Sequence, residues 1–237
     1  VCFEKAPSLC DLARSVHAPV HRGFGWNGHA TRAEPGSEPV LRIAGGGRSQ
    51  RPIQSFLFRM VGGTWRGEDY VMPHRDTETT TRFDVGLNFR VGKKWPTKQW
   101  PAGHWQALSD LCELHGLTVT WQRGASDLSD YMDWLGSCRT IVTCDSLGMH
   151  LGLAMHRHVV VLFGSTPSEQ IHLYGRGAII KSHGACSQAP CFKPQCAHAT
   201  SGGCMEAIRP VTVFQQVLAD VATGTSEDDQ PWIARCA

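Results

Sequence analysis

The chain is 237 residues and 26.0 kDa, about one and a half times the length prior for a single domain, so it has room for one complete domain and a second small or partial one. Hydrophobic residues make up 41% and charged residues 19%, which allows a sizeable core and argues against wholesale disorder. Twenty-three Lys and Arg against 21 Asp and Glu leave +2, too balanced for the chain as a whole to hold nucleic acid through charge. No apolar stretch approaches the roughly 18 residues that cross a membrane, and the run Val159–Phe163 is strand-sized. Glu4, Lys5, Asp11 and Arg14 interrupt the N-terminus where a signal peptide would be apolar. The first residue is Val1, as in a processed, trimmed or fragmentary chain.

Periodicity is weak before residue 80. A short helix is expected over Cys10–His17, and Gly23–Gly47 is rich in Gly, Pro and charge. Ile53–Val61 (IQSFLFRMV) reads as an amphipathic helix stopped by Gly62-Gly63. Asp76–Arg82 reads as a linker. Beyond it, strands and helices alternate. Asp84–Arg90 is a strand, Pro101 opens a helix that runs to Leu114 and closes at Gly116, and Leu117–Trp121 is a strand. Ser126–Gly136 is a helix with Leu128, Tyr131, Met132 and Leu135 on one stripe. Arg139–Cys144, His158–Phe163 and Ala178–Ile180 follow as strands, with helices over Ser146–His156 and Val211–Val221. This alternation, with the continuous apolar run VVVLF, predicts an α/β domain: a doubly wound, Rossmann-like parallel sheet covered on both faces. The division expected is a partial domain over 1–80, the sheet domain over 81–222 and a tail over 223–237.

Open parallel sheets bind ligands beyond the carboxyl ends of their strands. Cys144–His150 lies there: Asp145 or Ser146 can cap the next helix, Gly148 leaves its first turn open, and the free amides suit a phosphate. Gly164-Ser165-Thr166-Pro167 repeats the design one strand later, with Pro167 opening a helix. Lys98 follows another strand, where its ammonium could neutralise a diphosphate, and His150 falls within reach of the same ligand. An ordinary N-cap, a plain turn, an exposed loop lysine and a structural histidine are the plainer readings of these residues. No G-x-G-x-x-G joins a strand to a helix, and neither G-x-x-x-x-G-K-[ST] nor G-x-S-x-G is present. Hydride-transfer dinucleotide enzymes, P-loop enzymes and α/β-hydrolases are thereby disfavoured.

Four of the ten cysteines crowd into one loop as C-x4-C-x4-C-x7-C: Cys186, Cys191, Cys196 and Cys204. Four soft ligands could enclose a structural zinc ion, with His183 or His198 replacing one thiolate. Reduced thiols and two disulfides are the alternatives. Cys138 and Cys144 sit on an apolar strand where buried thiols are common, and a reducing cytoplasm fits this usage. Only Lys181 and Lys193 are basic between residues 180 and 208, which disfavours a zinc ribbon on nucleic acid.

The strings VGLNFRVGKKWPTKQWPAGHW and IVTCDSLGMHLGLAMHRHVVVLFGSTPSEQIHLYGRG, with the Cys loop ending Cys204-Met205-Glu206-Ala207-Ile208, resemble glycosyltransferase family nine, whose best-known members are the ADP-heptose:lipopolysaccharide heptosyltransferases. The match covers 84 to about 218, and Arg22-Gly23-Phe24-Gly25 and Trp65–Val71 resemble the family more loosely. The resemblance implies the two-domain GT-B arrangement, with 84–220 as the donor-nucleotide domain. It implies Lys98 at the donor phosphates, Asp145, Ser146 and His150 as the D-[ST]-G-x-x-H signature, and Thr166 in the G-x-T turn. The implied reaction is cofactor-independent, inverting transfer of a sugar, heptose by the family's name, from a nucleotide-diphosphate donor to a lipopolysaccharide or other lipid-linked surface glycan. A carboxylate base would deprotonate the acceptor hydroxyl. The implied setting is bacterial and cytoplasmic, with peripheral contact at the inner membrane.

Three departures stand out. Gly148 is one place later than in D-[ST]-G. The connection Trp121–Tyr131 is short, with Asp127 the candidate for the acid that holds the donor ribose. The family's N-terminal strand, glycine-rich turn and catalytic Asp have no counterpart, so the chain reads as the C-terminal two-thirds of a member. Its remaining N-terminal acids include Asp11, Glu68 and Asp69. The alternative function is a non-catalytic nucleotide-sugar-binding module or a degenerate transferase.

Overall fold

Val159–Phe163 is apolar at every position because it forms the middle of a sheet whose two faces are both covered. The computed structural model describes residues 1–44, 46–72, 80–182, 184–196 and 203–223. It comprises two units: Val1–Glu68 with Pro167–His172, and Asp69–Thr166 with Leu173–Ala237. The division falls at Glu68/Asp69, where the sequence reading drew it near 80. Residues 73–79, which hold most of the expected linker, lie outside the described residues, as do 224–237 of the expected tail.

In the first unit, α1 (Pro7–Ser15) and the hairpin β1 (Phe24–Trp26) and β2 (Thr31–Ala33) precede α2 (Glu38–Ala44) and α3 (Ile53–Met60). Cys2, Cys10, Phe24, Val40 and Met60 form its core. The hairpin lies in the stretch that the sequence reading left without elements. Its signal is Asn27-Gly28: the Asn27 carboxamide accepts from the amides of His29 (3.0 Å) and Ala30 (2.9 Å), while Gly28 takes φ +94°.

In the second unit, β3 (Phe83–Asn88), β4 (Val119–Trp121), β5 (Cys138–Cys144), β6 (His158–Phe163) and β7 (Gly177–Lys181) form one sheet in the order β4-β3-β5-β6-β7. Every pairing is parallel. The connecting helices are α4 (Ala102–Leu114), α5 (Leu128–Gly136) and α6 (Leu147–Ala154), with α7 (Gly203–Glu206) and α8 (Pro210–Thr223) after β7. Strand alternation sends Val85, Leu87, Val142, Val160 and Leu162 to a core with Trp105 and Leu108 of α4 and Val213, Phe214 and Val217 of α8. Ile141 and Val159, one residue out of phase, face α6 at Gly152, where an added Cβ would come within 2.9 and 3.0 Å of their side chains. Helices therefore cover both faces, α4 with α8 and α5 with α6.

The α5 stripe is narrower than expected. Met132 and Leu135 are buried, but Leu128 is 54% exposed because it opens the helix directly after the Asp127 N-cap. Cys138 and Cys144 are buried as expected, and burial pushes both thiols up to about 12. Leu87→Ala should cost about 2–5 kcal/mol in urea unfolding through the cavity it leaves. Leu128→Ala should stay within about 0.5 kcal/mol.

Candidate functional site

The strand order reverses at β3. From β3 the chain moves outward through α4 to β4, then returns through α5 to β5 on the other side of β3. Connections that leave neighbouring strands in opposite directions open a crevice at the carboxyl ends of β3 and β5. The β3–α4 connection, which includes a single 3-10 turn at Pro96–Lys98, delivers Lys98 there. The β5–α6 turn delivers Asp145, and the end of β6 delivers Thr166.

These three residues meet on one oxygen. Asp145 Oδ2 accepts from Lys98 Nζ at 2.7 Å and from Thr166 Oγ1 at 2.8 Å. Lys98 Nζ also reaches the Asp145 carbonyl at 3.3 Å and lies 5.6 Å from the Trp95 ring centroid. The Lys98 and Asp145 side chains are each 18% exposed, so the pair is only partly screened by water. The cluster sits beside the start of α6, whose first amides have no intrahelical acceptor. An ammonium and a helix N-terminus around one crevice can hold an anion, with Asp145, itself held by the Thr166 hydroxyl, orienting the ammonium.

Ser146 occupies the N-cap position, but its side chain makes no capping bond, contrary to the expected cap by Asp145 or Ser146. Its hydroxyl is instead 3.0 Å from Thr143 Oγ1 and accepts from Asn88 Nδ2 at 3.2 Å. Asn88, at the end of β3, also donates to Thr143 Oγ1 at 2.8 Å and accepts from the Tyr131 hydroxyl at 3.0 Å. Burial pushes the Tyr131 phenol up to about 12, which keeps its proton available for that bond. Sequence reasoning missed Asn88. A buried amide ending an apolar strand was the available signal, but its partners lie 43 to 58 residues away.

Gly148 and Gly164 are both places of close approach. A Cβ at Gly148 would stand 2.3 Å from Asn88 Nδ2 and from the Tyr131 hydroxyl, so this glycine admits the polar network. A Cβ at Gly164 would stand 2.6 Å from Cys204 Sγ and Met205 Sδ, so this one admits α7. Pro167 does not open an α-helix as expected. A 3-10 turn over Ser168–Gln170 follows it, and the chain then reverses through Tyr174 (φ +55°) and Gly175 (φ +75°) into β7.

His150 lies in α6, one turn beyond Ser146. Burial depresses its imidazole below the usual 6.5, the Asp145 charge opposes this, and the Lys98 charge adds to it. Asp127 caps α5 by accepting from the Asp130 amide at 2.9 Å. Among the N-terminal acids, Asp69 is held in a fork by Arg176 at 2.7 and 2.8 Å. Burial works against its charge, but Arg176 and the Tyr70 amide outweigh it and lower the carboxyl. The exposed Glu68 is lowered first by accepting from the Arg66 amide. Carboxylates held ionised in this way are poorly matched to general-base work near neutrality. Asp11 is exposed on α1.

Cys186, Cys191, Cys196 and Cys204 line one cavity of about 230 Å³, with Lys193 and Met205 among its other walls. Burial raises the Cys204 thiol, and the nearness of the other three raises it further. Among the described residues, however, no three His, Cys, Asp or Glu side chains are arranged to hold a metal ion, and no disulfide forms. His183 and His198 lie outside the described residues. No helix among the described residues is long and apolar enough to cross a membrane.

Residues 124–201 match the family model described as glycosyltransferase family 9 (heptosyltransferase). That span holds Asp145, Ser146, Gly148, His150, Gly164, Thr166 and three of the four loop cysteines, while Lys98 and Cys204 fall outside it. Among solved structures, glycosyl transferase family 9 from Veillonella parvula DSM 2008 is similar at TM-score 0.62 and 16% identity, over 93% of this chain and 72% of its own. The E. coli ADP-heptose lps heptosyltransferase II is similar at TM-score 0.47 and 16% identity, over 81% of this chain. The iron-containing dodecameric glycosyltransferase TibC from enterotoxigenic E. coli H10407 is similar at TM-score 0.46 and 13% identity, over 68%. This chain spans 53% and 52% of those two E. coli chains. No curated protein matches the sequence. The resemblance to glycosyltransferase family nine is thus carried by the family model over 124–201, and the α/β parallel-sheet fold is shared with the Veillonella structure.

Two measurements probe the site without a ligand. Tyr131→Phe leaves the Asn88 carbonyl without its donor and should cost about 1–3 kcal/mol in urea unfolding. Because the folded His150 value lies below the unfolded one, the unfolded chain binds more protons as pH falls through 6.5. The stability linked to His150 is complete above that pH and is lost below it. His150→Gln should therefore flatten the fall in melting temperature between about pH 6.5 and 5.

Proposed function

We propose that this chain is a family-nine-type glycosyltransferase whose second unit binds the nucleotide-diphosphate donor. The observation that carries the reading is the meeting of Lys98 and Thr166 on the Asp145 carboxylate at the strand-order reversal, with Asp145 and Thr166 inside the span that matches the family model. In this reading Lys98 neutralises charge on the diphosphate, the first amides of α6 donate to its oxygens, and the Thr166 hydroxyl, which donates to Asp145, holds that carboxylate beside the ammonium. Asp145 keeps the ammonium in place, and His150 lies one turn along the same helix. As the nucleoside diphosphate departs, negative charge grows on it, and groups already aimed at it stabilise that growth most. The sugar proposed is heptose, after the family's description. The acceptor proposed is a lipopolysaccharide or other surface glycan, free or lipid-linked, on the cytoplasmic side. Transfer proceeds with inversion and requires no cofactor.

The test is thermal unfolding with ADP, GDP, UDP and CDP in turn. A ligand at a hundred times its dissociation constant adds about 2.7 kcal/mol. For a chain of this size that is a shift of several degrees, at roughly 2–4 °C per kcal/mol. One base should raise the melting temperature in this way, and both Lys98→Ala and Asp145→Ala should abolish the rise. A rise that survives both substitutions, or none with any of the four, would overturn the reading.

A further inference from the structure

Tyr70, ahead of β3 in the chain, brings a protein group to His150. The Tyr70 hydroxyl lies 2.7 Å from His150 Nδ1. Its neighbour Asp69 is anchored by the Arg176 fork, and Arg176 Nη2 also donates to the Leu153 carbonyl of α6 at 3.0 Å. Asp69 Oδ1 in turn accepts from the Tyr70 amide at 2.7 Å. The Tyr70 ring meets Tyr174 edge to face at 5.6 Å, and the Arg176 guanidinium lies 5.1 Å from the Tyr174 ring centroid. These residues all belong to one unit. The ion pair thus ties Asp69 and Tyr70 to the same helix that carries His150, and the aromatic pair limits where the phenol can swing.

A phenol keeps its proton up to a pH near ~10, so its O–H is available to donate at neutral pH. A neutral imidazole accepts at one nitrogen and donates at the other, and the partner of the first decides which is which. We propose that Tyr70 is a positioning residue for His150: its hydroxyl donates to Nδ1, fixing the ring as the Nε2–H tautomer and making it an N–H donor to the anionic ligand held at Lys98. The groups that bear on the ring are Tyr70 from the segment before β3, Asp145 from the start of α6 and Lys98 from the β3–α4 connection. Asp69 is engaged by Arg176, with His156 Nδ1 4.0 Å from it. The ligand in this inference rests on the donor reading, whereas the tautomer does not.

The decisive experiment is long-range proton–nitrogen NMR on the uniformly nitrogen-15-labelled full chain, with the His150 signal identified by its loss in His150→Gln. The expected result is a protonated Nε2 and a bare Nδ1 in the unmodified protein, a readout that needs no bound ligand. In Tyr70→Phe the ring should become a tautomer mixture and titrate at higher pH, because the bond that favoured the neutral form is gone. Affinity for whichever of ADP, GDP, UDP or CDP binds should fall roughly two- to tenfold, the equivalent of one hydrogen bond. An Nδ1–H tautomer in the unmodified protein, or an unchanged tautomer and titration in Tyr70→Phe, would overturn the inference. If none of the four nucleotides binds while the tautomer is as expected, the donor reading falls and the role of Tyr70 in orienting the ring stands. If Lys98→Ala loses binding and Tyr70→Phe does not, the inference falls and the donor reading stands.

Discussion

Everything at this site follows from β3 and β5 being neighbours although β4 separates them in sequence. That adjacency places α4 and α6 on opposite faces of the sheet, so their leading turns part at the carboxyl edge instead of packing together. Lys98 and Asp145, 47 residues apart, then meet across the gap. Had β4 inserted between β3 and β5, the two would be separated by a further strand spacing of roughly 4.8 Å and the ion pair could not form. Thr166 joins the pair because β6 is the next strand outward from β5.

Beneath the charged cluster lies a polar layer that the apolar sheet has to accommodate. Asn88 ends β3 at 3% exposure, and its amide would be costly there without partners. Thr143, Ser146 and Tyr131 satisfy it, and Gly148 leaves the room it needs. The same bonds occupy the Ser146 side chain and leave the start of α6 uncapped by it. Local helix stability is traded for a helix N-terminus whose amides can still meet a ligand. His150 is then brought to a defined orientation by a contact from outside the sheet, where the Asp69–Arg176 fork holds Tyr70 to α6.

The second unit was legible because its strands and helices are each marked locally in the sequence. Each strand from β3 to β7 shows up as an apolar or β-branched run, and α4 is announced by Pro101 and closed at Gly116, where φ is +78°. The first unit was less legible. Its elements are short, its hairpin turn rests on the Asn27 carboxamide, and a small core leaves little periodicity to read. At the site, the residues at strand ends could be named in advance from their types and positions. The company they keep could not: nothing near Asp145 in sequence indicates that Lys98 and Thr166 share one of its oxygens.

The sequence by itself determined the alternation of strands and helices, the parallel sheet it demands, and the turns that offer hydroxyls, an ammonium and helix amides to an anion. These are properties of short segments, set by side-chain period, by Pro and Gly, and by which residues can end a strand. The tertiary structure alone decided the strand order, the diversion of Ser146 from capping to the Asn88 network, the fit of Gly164 against Cys204 and Met205, and the pairing of Tyr70 with His150. Each of these joins residues from 40 to 80 positions apart or compares whole connections with one another, except the three-residue Thr143–Ser146 contact, which matters only once Asn88 has joined it. Such pairings cost chain entropy before they yield any energy, so they form only when the packed sheet has already brought the segments together.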